Sequence, residues 1–330
     1  MDACLVGWSA LEAWRAIRAL GPEYLEAVMA TPATTPRYGF SAHLTKREAD
    51  TVADAFGLSW PVQLAVVEGT KRHTRPYAKT MLLSPGETKN AFVEIEPGLF
   101  LALPPQVFQQ MSTFLSTVDL VRVGYELCSR FAIGHHKEYE LIESAPLTTL
   151  DKLADALPVP NARGNCTRTS SALLYIKENA ASPPEIAMSM ELGLPFVYGG
   201  LGLGDHVLNP YMELSEHAQI LANKKFCYPD LYLQTCNTDI EYDSYEWHSG
   251  EEKKREDARR RGALRYDGHH VVSLDADDLK DAETMTALAR DLYTRSGIRF
   301  RPYAKNFCSR QEGLIETLKK SEVVRFEKSG

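Results

Sequence analysis

The chain has no CxxC pair and no zinc-ligand spacing among its six cysteines, Cys4, Cys128, Cys166, Cys227, Cys236 and Cys308. That excludes the common zinc-ribbon and dithiol motifs, and scattered cysteines of this kind read as free thiols in a reducing cytosol. Cys227 and Cys236 flank one hairpin and could approach each other. No apolar run approaches the ~20 residues needed to span a bilayer. The N-terminus lacks the basic-then-apolar arrangement of a signal peptide, so a cytoplasmic protein with no membrane role is expected. Internal repeats and long low-complexity tracts are also missing. So is a basic surplus: 37 Lys and Arg stand against 44 Asp and Glu, for a net charge of −7. This argues against a protein held to nucleic acid by bulk charge, but it leaves room for a local basic surface.

What is present suits a globular α/β protein. A length of 330 residues, 44% apolar and 25% charged, accommodates two domains of ordinary size with sizeable cores. Residues 8–29 read as helix, with Trp8, Leu11, Trp14, Ile17 and Leu20 at helical spacing. Strands follow at Val62–Val67, Ala91–Ile95 and Gly98–Leu103, then helix over 106–130 and again over 148–156, where Thr148 and Asp151 suggest a capping box. Pro158-Val-Pro-Asn-Ala-Arg-Gly-Asn is the best boundary by composition. The expectation is an α+β domain over 1–160 and a second domain, a mixed sheet flanked by helices, over 161–330.

Within the second half a helix is expected at about 166–179. Ser182 then reads as a helix cap with Pro183 and Pro184 in the first turn and Glu185 just inside. Residues 201–217 read as a loop or irregular hairpin. Glu251–Tyr266 is a charged helix with Gly268 just past its end, His270–Leu274 a short buried strand, and Asp277 to about Tyr293 a last long helix. A strand, helix, strand order over 239–274 predicts that its two strands run parallel.

The segment richest in chemistry is a predicted hairpin: Tyr228-Pro-Asp-Leu-Tyr-Leu, turn-formers Thr235, Asn237 and Thr238, then Asp239-Ile-Glu-Tyr-Asp. A four-residue loop over 235–238 pairs Tyr232 with Glu241 and Asp230 with Asp243. Alternation then sets Asp230, Glu241 and Asp243 on one face, with Leu231, Leu233 and Ile240 turned to a core. Three carboxylates that close repel one another unless a cation sits among them, and a hard divalent metal is the simplest candidate. Glu185 could complete the shell. The bland alternative is that Asp239, Glu241 and Asp243 form the solvated face of an edge strand.

His248 is a candidate general acid or base, although a lone histidine near a strand end is more often an ordinary surface residue. The helix Glu251–Arg265 carries seven basic and four acidic residues. Lys253, Lys254, Arg255, Arg259, Arg260, Arg261 and Arg265 could line a phosphate-backbone track, or simply form a solvated face with intrahelical pairs such as Glu251–Arg255. His269 and His270 read as structural or rim residues.

These residues resemble a family. Ser182-Pro-Pro-Glu, Tyr228-Pro-Asp-Leu, Ile240-Glu-Tyr-Asp, His248, Lys254-Arg-Glu-Asp-Ala-Arg-Arg-Arg and Gly268-His-His-Val-Val-Ser-Leu occur in that order. Together they look like the Vsr-related domain of unknown function in the PD-(D/E)xK nuclease superfamily. The matching positions are Glu185, Asp230, Glu241, Asp243, His248, Asp257 with Arg260, and Gly268. The resemblance implies a restriction-endonuclease-like fold over about residues 180–298. One departure is plain: Glu241-Tyr-Asp stands where the superfamily carries Glu-x-Lys, so a base or charge stabiliser must come from elsewhere, such as His248, Lys253 or Lys254. Residues 60–157 resemble the region upstream of that domain in AbiEi-like antitoxin proteins, through Val66-Val-Glu-Gly-Thr-Lys-Arg-His, Gly98-Leu-Phe-Leu-Ala-Leu-Pro-Pro and Tyr125-Glu-Leu-Cys. The stretch ahead of them is expected to be too short for the winged-helix DNA reader of those proteins.

The expected function is therefore a Mg²⁺- or Mn²⁺-dependent DNA endonuclease or nicking enzyme. Asp230, Glu241 and Asp243 would hold the metal, Glu185 would support it and His248 would assist proton transfer. The rival expectations are a non-catalytic, antitoxin-like regulator that keeps the nuclease fold, and a module binding a toxin or other protein through the N-terminal domain. A homodimer is compatible with cutting both strands.

Overall fold

The computed structural model describes residues 2–30, 32–33, 40–41, 43–83, 91–133, 141–157, 166–243 and 251–320. The chain divides into two compact units between Leu174 and Tyr175. In the first, β1 (Ala3–Leu5) leads into α1 (Gly7–Ala19) and α2 (Pro22–Met29), followed by β2 (Pro32–Ala33), α3 (Lys46–Phe56), β3 (Val62–Val66) and β4 (Ala78–Leu82). Then come β5 (Phe92–Glu96), β6 (Leu99–Ala102), α4 (Pro104–Met111), α5 (Thr117–Cys128), β7 (Phe131–Ile133), β8 (Leu141–Glu143), α6 (Leu150–Asp155) and α7 (Cys166–Leu173). Six strands form one mixed sheet in the order β2-β5-β6-β1-β3-β4, with β1 parallel to β6 and antiparallel to β3.

The single helix expected over 8–29 is two helices. Gly21 sits at φ +107, a conformation that strains any residue with a Cβ, and Pro22 opens α2 where its missing N–H costs nothing. Leu20, although at helical spacing, is left 67% exposed, while Trp14 and Ile17 are buried. Trp14 also donates its indole N–H to Ala102 O at 2.8 Å, which ties α1 to β6. The helix expected over 106–130 is likewise split, because α4 starts earlier, at Pro104, and α5 takes its own cap from Ser116. The cap of α6 is Thr149 rather than Thr148, its hydroxyl accepting from Lys152 N. The composition break at 158–165 lies outside the described residues. Beyond it α7 packs on α5, so the first unit extends past residue 160.

The second unit contains α8 (Pro183–Gly193), β9 (His206–Leu208), β10 (Met212–Glu213), α9 (Glu216–Ala222), β11 (Phe226–Cys227), β12 (Leu231–Leu233) and β13 (Thr238–Tyr242). It closes with α10 (Glu251–Tyr266), β14 (His270–Leu274), α11 (Ala282–Arg295) and α12 (Phe307–Leu318). Its four-stranded sheet runs β14-β13-β12-β9: β12 is antiparallel to both β9 and β13, and β14 is parallel to β13 after the α10 connection, as the strand, helix, strand order predicts. Leu231, Leu233 and Ile240 are fully buried. Burying each is worth roughly 1.5–3 kcal/mol. The whole is a mixed α/β protein.

Candidate functional site

The hairpin register corrects one expectation. Leu231 faces Ile240, Tyr232 faces Asp239 and Leu233 faces Thr238, a pairing that continues to Asp230 opposite Glu241. The loop has the expected four residues but spans 234–237 rather than 235–238, which slides the register by two, with Asn237 at φ +47 closing it. A shift of two preserves parity, so Asp230 and Glu241 stay on one face. What changes is the partner: Asp230 meets Glu241 instead of Asp243.

Nor is β13 an edge strand. It lies between β12 and β14, and Asp239 and Glu241 are 0% and 1% exposed, which rules out a solvated acidic face for these two. Each is met by a basic side chain from α10 or from the turn that follows it. Arg260 Nη2 donates to Glu241 Oε2 at 2.6 Å and stands 3.5 Å from Asp257. His269 Nδ1 approaches Asp239 Oδ2 to 2.8 Å, an ion-pair distance without hydrogen-bond direction. That contact with Asp239 raises the His269 pKa, against the opposing effect of burial.

Asp230 is fixed by backbone groups. Its Oδ2 accepts from Tyr242 N at 2.7 Å, and its carbonyl accepts from Asn209 N at 3.2 Å. Burial raises its pKa, partly offset by the Tyr242 N–H and by Arg260. Burial, followed by the charge of Asp230, pushes Glu241 up to about 8 despite Arg260. Both carboxylates are thus held above the usual carboxylate range, with burial the first cause in each. Arg260 remains charged, since the fields of Glu241, Asp230 and Asp257 outweigh its own desolvation.

Glu185 sits where the Ser-Pro-Pro-Glu cap predicts. Its Oε1 accepts from Ser182 Oγ at 2.8 Å, and its Oε2 accepts from Ala181 N at 2.8 Å and Asn209 Nδ2 at 2.6 Å. Burial and then the Asp230 charge push it up to about 7. Both oxygens are therefore committed to the cap, and Glu185 acts on the pair through its charge. Asp243 stands apart, more than half exposed and 3.5 Å from Arg261 Nη1. His248 and the side chains of Lys253 and Lys254 lie outside the described residues. On α10, Arg255, Arg259 and Arg265 are exposed, whereas Arg260 and Arg261 turn to the carboxylates. The arginines of the expected basic track are thereby divided between surface and site. Cys227 and Cys236 are free thiols.

Among the described residues, no group of three or more His, Cys, Asp or Glu converges to hold a metal ion. The Asp230–Glu241 pair nevertheless fits a magnesium-like cation, which needs one or two carboxylates and keeps several waters. The sign of that fit is Glu241 Oε1, a buried acceptor with no hydrogen-bond partner. Arg260 Nε, a buried donor beside it, also lacks one. An unsatisfied acceptor and an unsatisfied donor in one place are what a cation and an anion together would satisfy.

The sequence reading missed two things, the Asp239–His269 pair and the inward turn of Arg260. The spacing of Arg260 from Gly268 carried no sign of either. Comparison with protein-family models, with curated proteins and with solved structures finds no match to this chain. Among the described residues, no helix is long and apolar enough to cross a membrane.

Proposed function

We propose that the second unit is a metal-dependent phosphodiester hydrolase acting on DNA in the cytoplasm, with a restriction-endonuclease-like fold. The carrying observation is the Asp230–Glu241 pair across the β12–β13 hairpin, with Glu241 Oε1 unsatisfied and Arg260 alongside. Asp230 and Glu241 would hold Mg²⁺ or Mn²⁺, which when bound supplies a nucleophilic water and neutralises charge on the leaving oxygen. Arg260 takes the position of charge stabiliser that the absent lysine leaves open, its free Nε–H directed to a phosphate oxygen. Glu185 sets the local field, Asp243 is held at the rim with Arg261, and His248 is the candidate for proton transfer. Arg255 and Arg259, with Lys253 and Lys254, contact the backbone of the nucleic acid.

The test is cleavage of supercoiled, linear, mismatched and single-stranded DNA with Mg²⁺ or Mn²⁺. Asp230→Ala and Glu241→Ala should abolish it. Arg260→Gln should lower it on the order of 10²-fold, as when one preorganised donor is removed.

A second reading has its own support. Arg260 already neutralises Glu241 from within the protein, and among the described residues no third carboxylate joins the pair. A non-catalytic, antitoxin-like regulator that binds DNA or a toxin on the same fold would look like this. Folded protein that cleaves nothing with either metal would decide for the regulator.

A further inference from the structure

Next to the carboxylate pair the short antiparallel β10–β11 ladder presents a surface that nothing above uses. Met212 pairs with Cys227 and Glu213 with Phe226, so alternation puts Tyr211, Phe226 and Tyr228 on one face and Met212 and Cys227 on the other. The inner face is apolar and packed: Cys227 belongs to a core with Ala218 and Ala222 of α9 and Ala263 and Leu264 of α10, and Met212 packs against it. The outer face is aromatic and open, with Tyr211, Phe226 and Tyr228 at 59%, 41% and 42% exposure. The ring centroids lie 5.1 Å (Tyr211–Phe226), 5.6 Å (Phe226–Tyr228) and 6.0 Å (Tyr211–Tyr228) apart, so the three brace one another into one platform.

We propose that this platform stacks unpaired nucleobases and delivers a single-stranded segment of nucleic acid to the Asp230–Glu241 pair. The inference rests on the hydrolase reading for the identity of the partner. Three observations select that occupant. The face is built from flat rings, the shape a base stacks on. Tyr228 is two residues from Asp230, roughly 7 Å of extended chain, so a base on Tyr228 brings the adjoining phosphate to the carboxylates. The shared core fixes the platform rigidly to α10 with its exposed Arg255 and Arg259, and Lys224 and Lys225 are exposed at the start of β11. Glu213 marks the end of the platform farther from Asp230, where phosphates are repelled. Bases in a duplex have their faces covered by their neighbours, so stacking on these rings selects strands that are single or locally unpaired.

The test is fluorescence anisotropy with a labelled twelve-nucleotide DNA strand, the RNA of the same sequence and the DNA duplex, all in EDTA so that no cleavage intervenes. The expectation is at least roughly tenfold tighter binding of a single strand than of the duplex. Phe226→Ala and Tyr228→Ala should each weaken it about tenfold without changing the salt slope, and Tyr228→Trp should bind as wild type. The DNA and RNA arms identify which strand is preferred. Equal affinity for duplex and single strand, or alanine variants that bind like wild type, would overturn the inference. So would alanine variants that lose only self-association in sedimentation, because the platform would then be a protein interface. Aromatic-dependent binding without cleavage in Mg²⁺ would leave this inference standing and remove the hydrolase. Cleavage with aromatic-independent binding would do the reverse.

Discussion

Glu191 isolates the electrostatic reasoning on which the site depends. It lies on α8, is 3% exposed, and its Oε2 has no hydrogen-bond partner. Burial alone pushes its pKa up to about 8, with no neighbouring charge involved. Below the unfolded-state value near 4.5, both folded and unfolded chains are protonated at this residue and it has no effect on the pH dependence. Between there and about 8 the folded chain keeps a proton the unfolded chain has lost, so stability falls by about 1.4 kcal/mol per pH unit. Above that window the loss levels off, at a total on the order of 3–5 kcal/mol once some water penetration is allowed for. Glu191→Gln is an isostere that cannot ionise. Relative to wild type it should gain little at pH 5 and several kcal/mol by pH 9. Urea unfolding of both proteins at several pH values and matched ionic strength, followed by circular dichroism, measures the difference. Parallel profiles for the two proteins would refute the reasoning, and with it the argument that burial raises the Asp230 and Glu241 carboxyls.

Two other substitutions probe the scaffold. Arg18 is 3% exposed and donates to Ser144 Oγ (2.9 Å), Ser129 Oγ (3.1 Å), Glu126 O (3.1 Å), Ala145 O (3.0 Å) and Ser129 O. Arg18→Lys cannot reproduce that fork and should cost at least about 3 kcal/mol in tryptophan-monitored unfolding. In the second unit, a Cβ on Gly193 would stand 2.5 Å from His206 Cε1. His206 is held between Ser189 Oγ (2.6 Å) and Leu203 O (2.8 Å) and is kept neutral by burial, its pKa pushed down to about 4. Gly193→Ala should displace the ring and cost roughly 1–3 kcal/mol by the same measurement.

Local rules made much of the second unit legible in the sequence. Ser182, Pro183 and Pro184 start α8 as capping chemistry dictates. Glu251–Tyr266 is helical over the expected range, and the parallel pairing of β13 with β14 follows from the connection between them. The same-face relation of Asp230 and Glu241 was also legible, because moving a four-residue loop by one position slides the register by two and leaves parity intact. Long-range packing hid the rest. Nothing in an exposed-looking run of arginines tells Arg259, in solvent, from Arg260, which turns to Glu241; that choice is made by the core under α10. The burial of Asp239 depends on β13 being central, which requires β12 and β14 on either side. The strands β1 and β4 and the helices α9 and α12 are short or weakly patterned and gain their stability from neighbours distant in sequence.

The central claim is that Asp230 and Glu241 form a divalent-cation site, and calorimetric titration of the protein with Mn²⁺ or Mg²⁺ tests it most directly. The account predicts one saturable site per chain. Because burial holds both carboxylates above their usual range, binding should release protons, read from buffers of different ionisation enthalpy, and affinity should rise with pH. Both the site and the proton release should be lost in Asp230→Asn and in Glu241→Gln. No saturable binding to folded wild-type protein, or binding that survives both substitutions, would contradict the claim.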